Sequence, residues 1–99
     1  MVDFHQIVGF QWDAGNAYKN QNKHDVSQGE AEEVFFNQPL LIAEDEKHSV
    51  NESRFLALGM TGGGKLMSII FTLRAQGTLI RVVSARSMSK KERAFYEKA

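Results

Sequence analysis

The chain has no cysteine and a single proline among its 99 residues. Without thiols there is no disulfide framework, no thiolate metal site and no cysteine nucleophile, so stability has to come from packing. No apolar run approaches the ~18 residues of a membrane span, and Met1 to Phe10 lack a basic start followed by an apolar stretch. A cytoplasmic protein with no membrane partner is the expectation. Charge of one sign is not in excess either, since 12 Lys+Arg balance 12 Asp+Glu; the whole-chain charge therefore makes no case for nucleic-acid binding. Asn51-Glu52-Ser53, formally a glycosylation sequon, reads as a chance match in such a protein.

What is present is the composition of an ordinary globular domain, 42% hydrophobic and 24% charged, sized for one core over residues 1–99. The charge is unevenly spread. From Lys47 onward Lys and Arg outnumber Asp and Glu, whereas Asp25 to Glu46 contains no Lys or Arg at all. Such a dipole lets one face meet phosphates while another stays neutral or meets a basic partner.

The hydrophobic pattern predicts an α+β order. Gln6 to Gln11 alternate weakly as a short strand, and Asp13 is an N-cap candidate for a first helix reaching about Lys23. Ser27 with Glu30 forms a capping box ahead of a second helix to about Phe36, ended by Asn37-Gln38-Pro39. A brief strand at Leu40 to Ala43 and a polar loop over Glu44 to Asn51 follow. Arg54 to Met60, Leu66 to Leu73 and Leu79 to Ala85 give three strands of an antiparallel meander. Ser89 and Glu92 form a second capping box, opening a C-terminal helix.

Gly59-Met-Thr-Gly-Gly-Gly64-Lys65 fits the first seven positions of a phosphate-binding loop. Leu66, however, stands where Ser or Thr should hold magnesium, and Met67 to Thr72 favour a strand where a helix is required. A Gly-rich hairpin tip is the reading that fits. The carboxylates Glu30/Glu32/Glu33 and Glu44/Asp45/Glu46 read as solvated surface, and His5, His24 and His48 have no metal-site spacing. Neither a metal nor a cofactor is expected.

The ordered signature Phe10-Gln-Trp12-Asp13, Asn20-x-x-Lys23-His24-x-Val26-Ser27, Glu30-Ala31-x-x-Val34-Phe35 and Pro39 resembles the start of the BrnT family of toxins. The second half is similar too, through Arg54-Phe55-x-x-x-Gly59, Ile69-Ile-Phe-Thr72-x-Arg74, Ile80-Arg81-Val-Val-Ser84-Ala85-Arg86 and Lys90-x-Glu92-Arg93-x-x-Tyr96. The resemblance implies a RelE-like α+β fold, an antiparallel sheet with two N-terminal helices and one C-terminal helix. It further implies metal-independent RNA cleavage, and neutralisation by a ribbon–helix–helix antitoxin of the BrnA kind that alone would touch DNA. One departure is Leu73, where the family often has glutamate before the arginine matching Arg74.

Metal-free RNA cleavage needs a base for the 2′-hydroxyl, cations for the pentavalent phosphate and protection of the leaving oxygen. Arginine suits the second role, being permanently charged and able to grip phosphate with two donors. Arg74, Arg81 and Arg86 are the expected cations, each weighed against a plain surface role. A three-residue hairpin loop, Ala75 to Gly77, would put Arg74 on the side of Arg86; a four-residue loop ending at Thr78 would put it with Arg81. His24 is the candidate acid or base, set against a capping role at the end of the first helix. Trp12 and Lys23 are candidates for holding RNA, with Trp12 alternatively a core anchor and Lys23 a helix cap. Two functions remain open: an endoribonuclease toxin, and a non-catalytic module that binds the antitoxin as a co-repressor, favoured by Leu73 and the balanced charge.

Overall fold

The computed structural model describes residues 2–13, 25–48 and 51–99. The helix expected over residues 14–23 lies outside them, as do Lys23 and His24. Five strands form one sheet: β1 (Gly9–Gln11), β2 (Leu41–Glu44), β3 (Phe55–Met60), β4 (Leu66–Arg74) and β5 (Leu79–Ser87), in the spatial order β1-β5-β4-β3-β2. Helix α1 (Gln28–Glu33) continues into a 3-10 turn at Val34–Phe36, and α2 (Lys90–Tyr96) closes the chain. No described helix is long and apolar enough to cross a membrane.

Both capping boxes form as their spacing requires. The Ser27 hydroxyl accepts from the Glu30 amide while the Glu30 carboxylate accepts from the Ser27 amide, and Ser89 with Glu92 repeats the arrangement. Short helices need such ends, because each N-terminus otherwise leaves amides without partners. The Gly-rich segment is a hairpin tip: Thr61 N–H donates to the Lys65 carbonyl at 3.0 Å, and a strand follows. The polar stretch after β2 contains a 3-10 turn at Glu46–His48.

The sheet is mixed, and this corrects the expectation of a wholly antiparallel one. β2 to β5 are the expected meander, but β1 pairs with β5 in parallel, Gly9 opposite Leu79 and Gln11 opposite Arg81. A hairpin imposes antiparallel pairing only on strands joined by a short turn. β1 and β5 are the first and last strands, so no turn constrains their relative direction.

One face of the sheet carries the main core. Ala57, Met67, Ile69, Phe71, Ile80, Val82 and Ala85 are buried there against Val26, Ala31, Val34 and Phe35 of the α1 region. Phe71 is the centre of an aromatic cluster, edge-on to Phe35 at 5.2 Å and stacked on Phe55 at 5.5 Å between ring centroids. Each such pair adds roughly 0.5–1.5 kcal/mol to simple burial. On the other face, α2 covers only one end, with Leu58, Met88 and Tyr96 buried among Leu41, Leu56 and Leu66. The Tyr96 hydroxyl donates to the Pro39 carbonyl at 2.5 Å, tying that helix down. Beyond α2 this face carries Thr72, Arg74 and Arg81 beside the apolar Ile70 and Leu79.

Candidate active site

Strand geometry decides which arginines meet. On β4, Met67, Ile69 and Phe71 point into the main core, so Ser68, Ile70, Thr72 and Arg74 point to the second face. Residues directly opposite on paired strands share a face. Arg74 is opposite Leu79, Thr72 opposite Arg81, Ile70 opposite Ser84 and Ser68 opposite Arg86. All three arginines therefore lie on the second face. The four-residue turn Ala75 to Thr78 brings Arg74 to the side of Arg81, and a bulge brings Arg86 there as well. The register passes from Phe71–Val82 to Ile70–Ser84, leaving Val83 without a counterpart and reversing the alternation of β5 beyond it.

Sharing a face does not make the three equivalent. Arg74 and Arg81 are diagonal neighbours across β4 and β5, a spacing of about 7–8 Å between Cα atoms. Arg86 pairs with the opposite end of β4, four positions from the partner of Arg81, or roughly 13 Å along the strands. Its guanidinium donates to both Glu92 carboxylate oxygens, at 2.8 and 3.0 Å. Glu92 also accepts from the Ser89 amide and the Ser68 hydroxyl. Chiefly through Arg86, these donors hold the Glu92 carboxyl down at about 2, and Glu92 raises the Arg86 guanidinium in turn.

The Arg74 guanidinium is bidentate to Glu52, one of its two hydrogen bonds being 3.3 Å long. Arg81 donates to Gln11 Oε1 at 3.0 Å and to Asp13 Oδ2 at 3.2 Å. Glu52 is held below the ordinary carboxylate range, first by its hydrogen bond from Arg74 against the cost of desolvation, and further by the charges of Arg74, Arg54 and Arg81. Buried Thr72, opposite Arg81, donates its hydroxyl to the Ser53 carbonyl at 2.7 Å and so fastens the Glu52 segment to β4. The result is a half-exposed carboxylate beside two guanidiniums.

Glu52 and Asp13 were not among the site residues expected from sequence. Glu52 sits in the polar stretch before β3, where only the pairing across the fold distinguishes it from a solvated charge. Trp12 packs against the main core and donates its indole N–H to Glu32 Oε2 at 2.8 Å. That contact ties β1 to α1. Leu73 packs against the main core too, on the side of β4 away from Arg74. Among the described residues no cluster of three or more histidine or carboxylate side chains is placed to hold a metal.

The family model described as the ribonuclease toxin BrnT of type II toxin–antitoxin systems matches residues 12–92. The chain belongs to the BrnT family. The match takes in Trp12, Glu52, Arg74, Arg81 and Arg86, and a toxin of this family has RNA as substrate and an antitoxin as partner. The fold is similar to that of the Brucella abortus ribonuclease toxin BrnT, known from a 1.1 Å crystal structure, with a TM-score of 0.63 and 21% identity. The alignment covers 84% of this chain and 99% of that one. No curated protein matches in sequence.

Proposed function

We propose that this BrnT-family chain is a cytoplasmic, metal-independent endoribonuclease in which Arg74 and Arg81 together hold the scissile phosphate. The supporting observation is their diagonal placement on a part of the second face that neither described helix covers, with both side chains partly open to solvent among the described residues. Two guanidiniums at this spacing can each offer paired N–H donors to one phosphate and stabilise the charge that builds up as it becomes pentavalent. An incoming phosphate competes with Glu52 for Arg74 and with Asp13 for Arg81. Arg86, committed to Glu92 at the far end, is left out of this pair. Loss of message by cleavage stops translation. A ribbon–helix–helix antitoxin of the BrnA kind neutralises the toxin and carries any contact with DNA.

The reading is tested by incubating the purified, antitoxin-free protein with single-stranded RNA in EDTA and separating the products. Cleavage in EDTA, lost in Arg74→Ala, supports it; RNA left intact with and without Mg²⁺ rejects it. A second reading, a non-catalytic antitoxin-binding co-repressor, is favoured by one observation: both guanidiniums are already engaged by carboxylates. It predicts tight antitoxin binding, no cleavage and no growth arrest on expression.

A further inference from the structure

An arginine pair can hold a phosphate, but it cannot remove the proton from the attacking 2′-hydroxyl, because a guanidinium has no basic site at any relevant pH. Lys23 and His24 lie outside the described residues. Among those described, the carboxylates in direct contact with the arginine pair are Glu52, on Arg74, and Asp13, on Arg81. They differ in how they are placed. Glu52 is met by both guanidinium nitrogens of Arg74, and its chain segment is fastened by the Thr72–Ser53 hydrogen bond to the strand that carries Arg74. Asp13 meets one nitrogen of Arg81 and is the more exposed of the two.

We propose that Glu52 is the general base of the cleavage reaction. The inference rests on the nuclease reading above and adds to it the group that starts the chemistry. As the phosphate takes over Arg74, Glu52 loses the partner that most suppresses its basicity, so the carboxylate becomes a better base once substrate is bound. In the step itself the 2′-O–H bond breaks and its proton passes to a Glu52 carboxylate oxygen. The 2′-oxygen bonds to phosphorus, the bond from phosphorus to the 5′-oxygen breaks, and that oxygen takes a proton from solvent water. The products are a 2′,3′-cyclic phosphate and a 5′-hydroxyl, and Glu52 returns its proton to solvent. No oxidation or reduction is involved.

The position of Leu73 agrees with this assignment. Adjacent strand residues point to opposite faces, so a carboxylate at position 73 would project towards the main core and not towards Arg74 and Arg81. A loop residue, Glu52, reaches the arginine face instead.

The groups facing Glu52 are Arg74 on β4, Arg81 on β5 and Arg54 beside it in the chain. Asp13, in contact with Arg81, is the second carboxylate at the pair, so an acid limb of the pH–rate profile reports a carboxylate and the Glu52→Gln variant decides which one. The experiment compares antitoxin-free wild type, Glu52→Gln and Glu52→Asp on a short RNA in EDTA between about pH 3.5 and 8, with circular dichroism confirming the fold of each. Wild type is expected to lose activity below the ordinary carboxylate range in kcat/KM, with the kcat limb at higher pH because substrate has displaced Arg74. Glu52→Gln is expected to fall by about 10²–10⁴-fold and to lose the limb, while Glu52→Asp keeps the limb at reduced rate. A folded Glu52→Gln with the wild-type limb overturns the assignment while leaving the nuclease reading intact, whether its rate is high or low. Wild-type protein that cleaves nothing at any pH overturns both.

Discussion

Arg81 and Arg86 point to the same face of the sheet although they stand five positions apart on one strand. Simple alternation would put them on opposite sides. The unpaired Val83 absorbs one residue between them, so the arginines line a single surface while Ile80, Val82 and Ala85 all reach the core. The bulge gives a shared face but not adjacency: Arg81 stands beside Arg74, and Arg86 is bound to Glu92 where α2 begins.

Removing Arg86 should therefore affect folding more than chemistry. Arg86→Ala is expected to change kcat/KM for RNA by less than about tenfold while lowering the midpoint of urea unfolding. A loss comparable to that of Arg74→Ala, with unchanged stability, would place Arg86 at the phosphate.

The same pair makes stability depend on acid. Glu92 has its folded pKa depressed, so its contribution is fully present above the ordinary carboxylate range and is lost as pH falls towards about 2. Allowing for screening of a partly exposed pair, that contribution is about 1–2 kcal/mol. Glu92→Gln should be less stable than wild type by this amount near neutral pH, with the gap narrowing in urea titrations near pH 3. A gap that stays constant over that range would contradict the sign.

Gly59 is required by packing. A Cβ there would lie 2.7 Å from Val34 Cγ1 and 3.4 Å from the Val34 carbonyl, where the turn after α1 crosses β3. Gly59→Ala should cost about 1–3 kcal/mol by overpacking, measured by urea or thermal unfolding. Unchanged stability would mean that the Val34 turn can move away.

Trp12 separates an anchoring role from an RNA-stacking role. Trp12→Phe keeps an aromatic face but removes the N–H donated to Glu32. It should lower stability by about 1 kcal/mol and leave kcat/KM for RNA nearly unchanged. Trp12→Leu, which has no ring to stack on a base, should behave the same way; a selective rise in KM would restore the stacking role.

What could be read from sequence was mostly local. The pairs Ser27–Glu30 and Ser89–Glu92 announce their helices because a capping box closes within one turn, and the three long strands follow from their apolar runs between Gly-containing turns. The turn after Arg74 left two registers open. It has four residues, with Ala75, Gln76 and Gly77 all at positive φ, a conformation that only the glycine advertises. Val83 as a bulge, β1 parallel to β5, and Glu52 against Arg74 were not legible, since each depends on segments far apart in the chain. Arginines on the last strands could be named from sequence; which two are neighbours is a property of the register.

The central claim is that Arg74 and Arg81 act on one phosphate, and a double-mutant cycle on RNA cleavage tests it most directly. Arg74→Ala and Arg81→Ala should each lower kcat/KM by about 10²–10³-fold, and the double variant by far less than the product of the two. Losses that multiply, each single effect persisting in full when the other arginine is already absent, would contradict a shared phosphate.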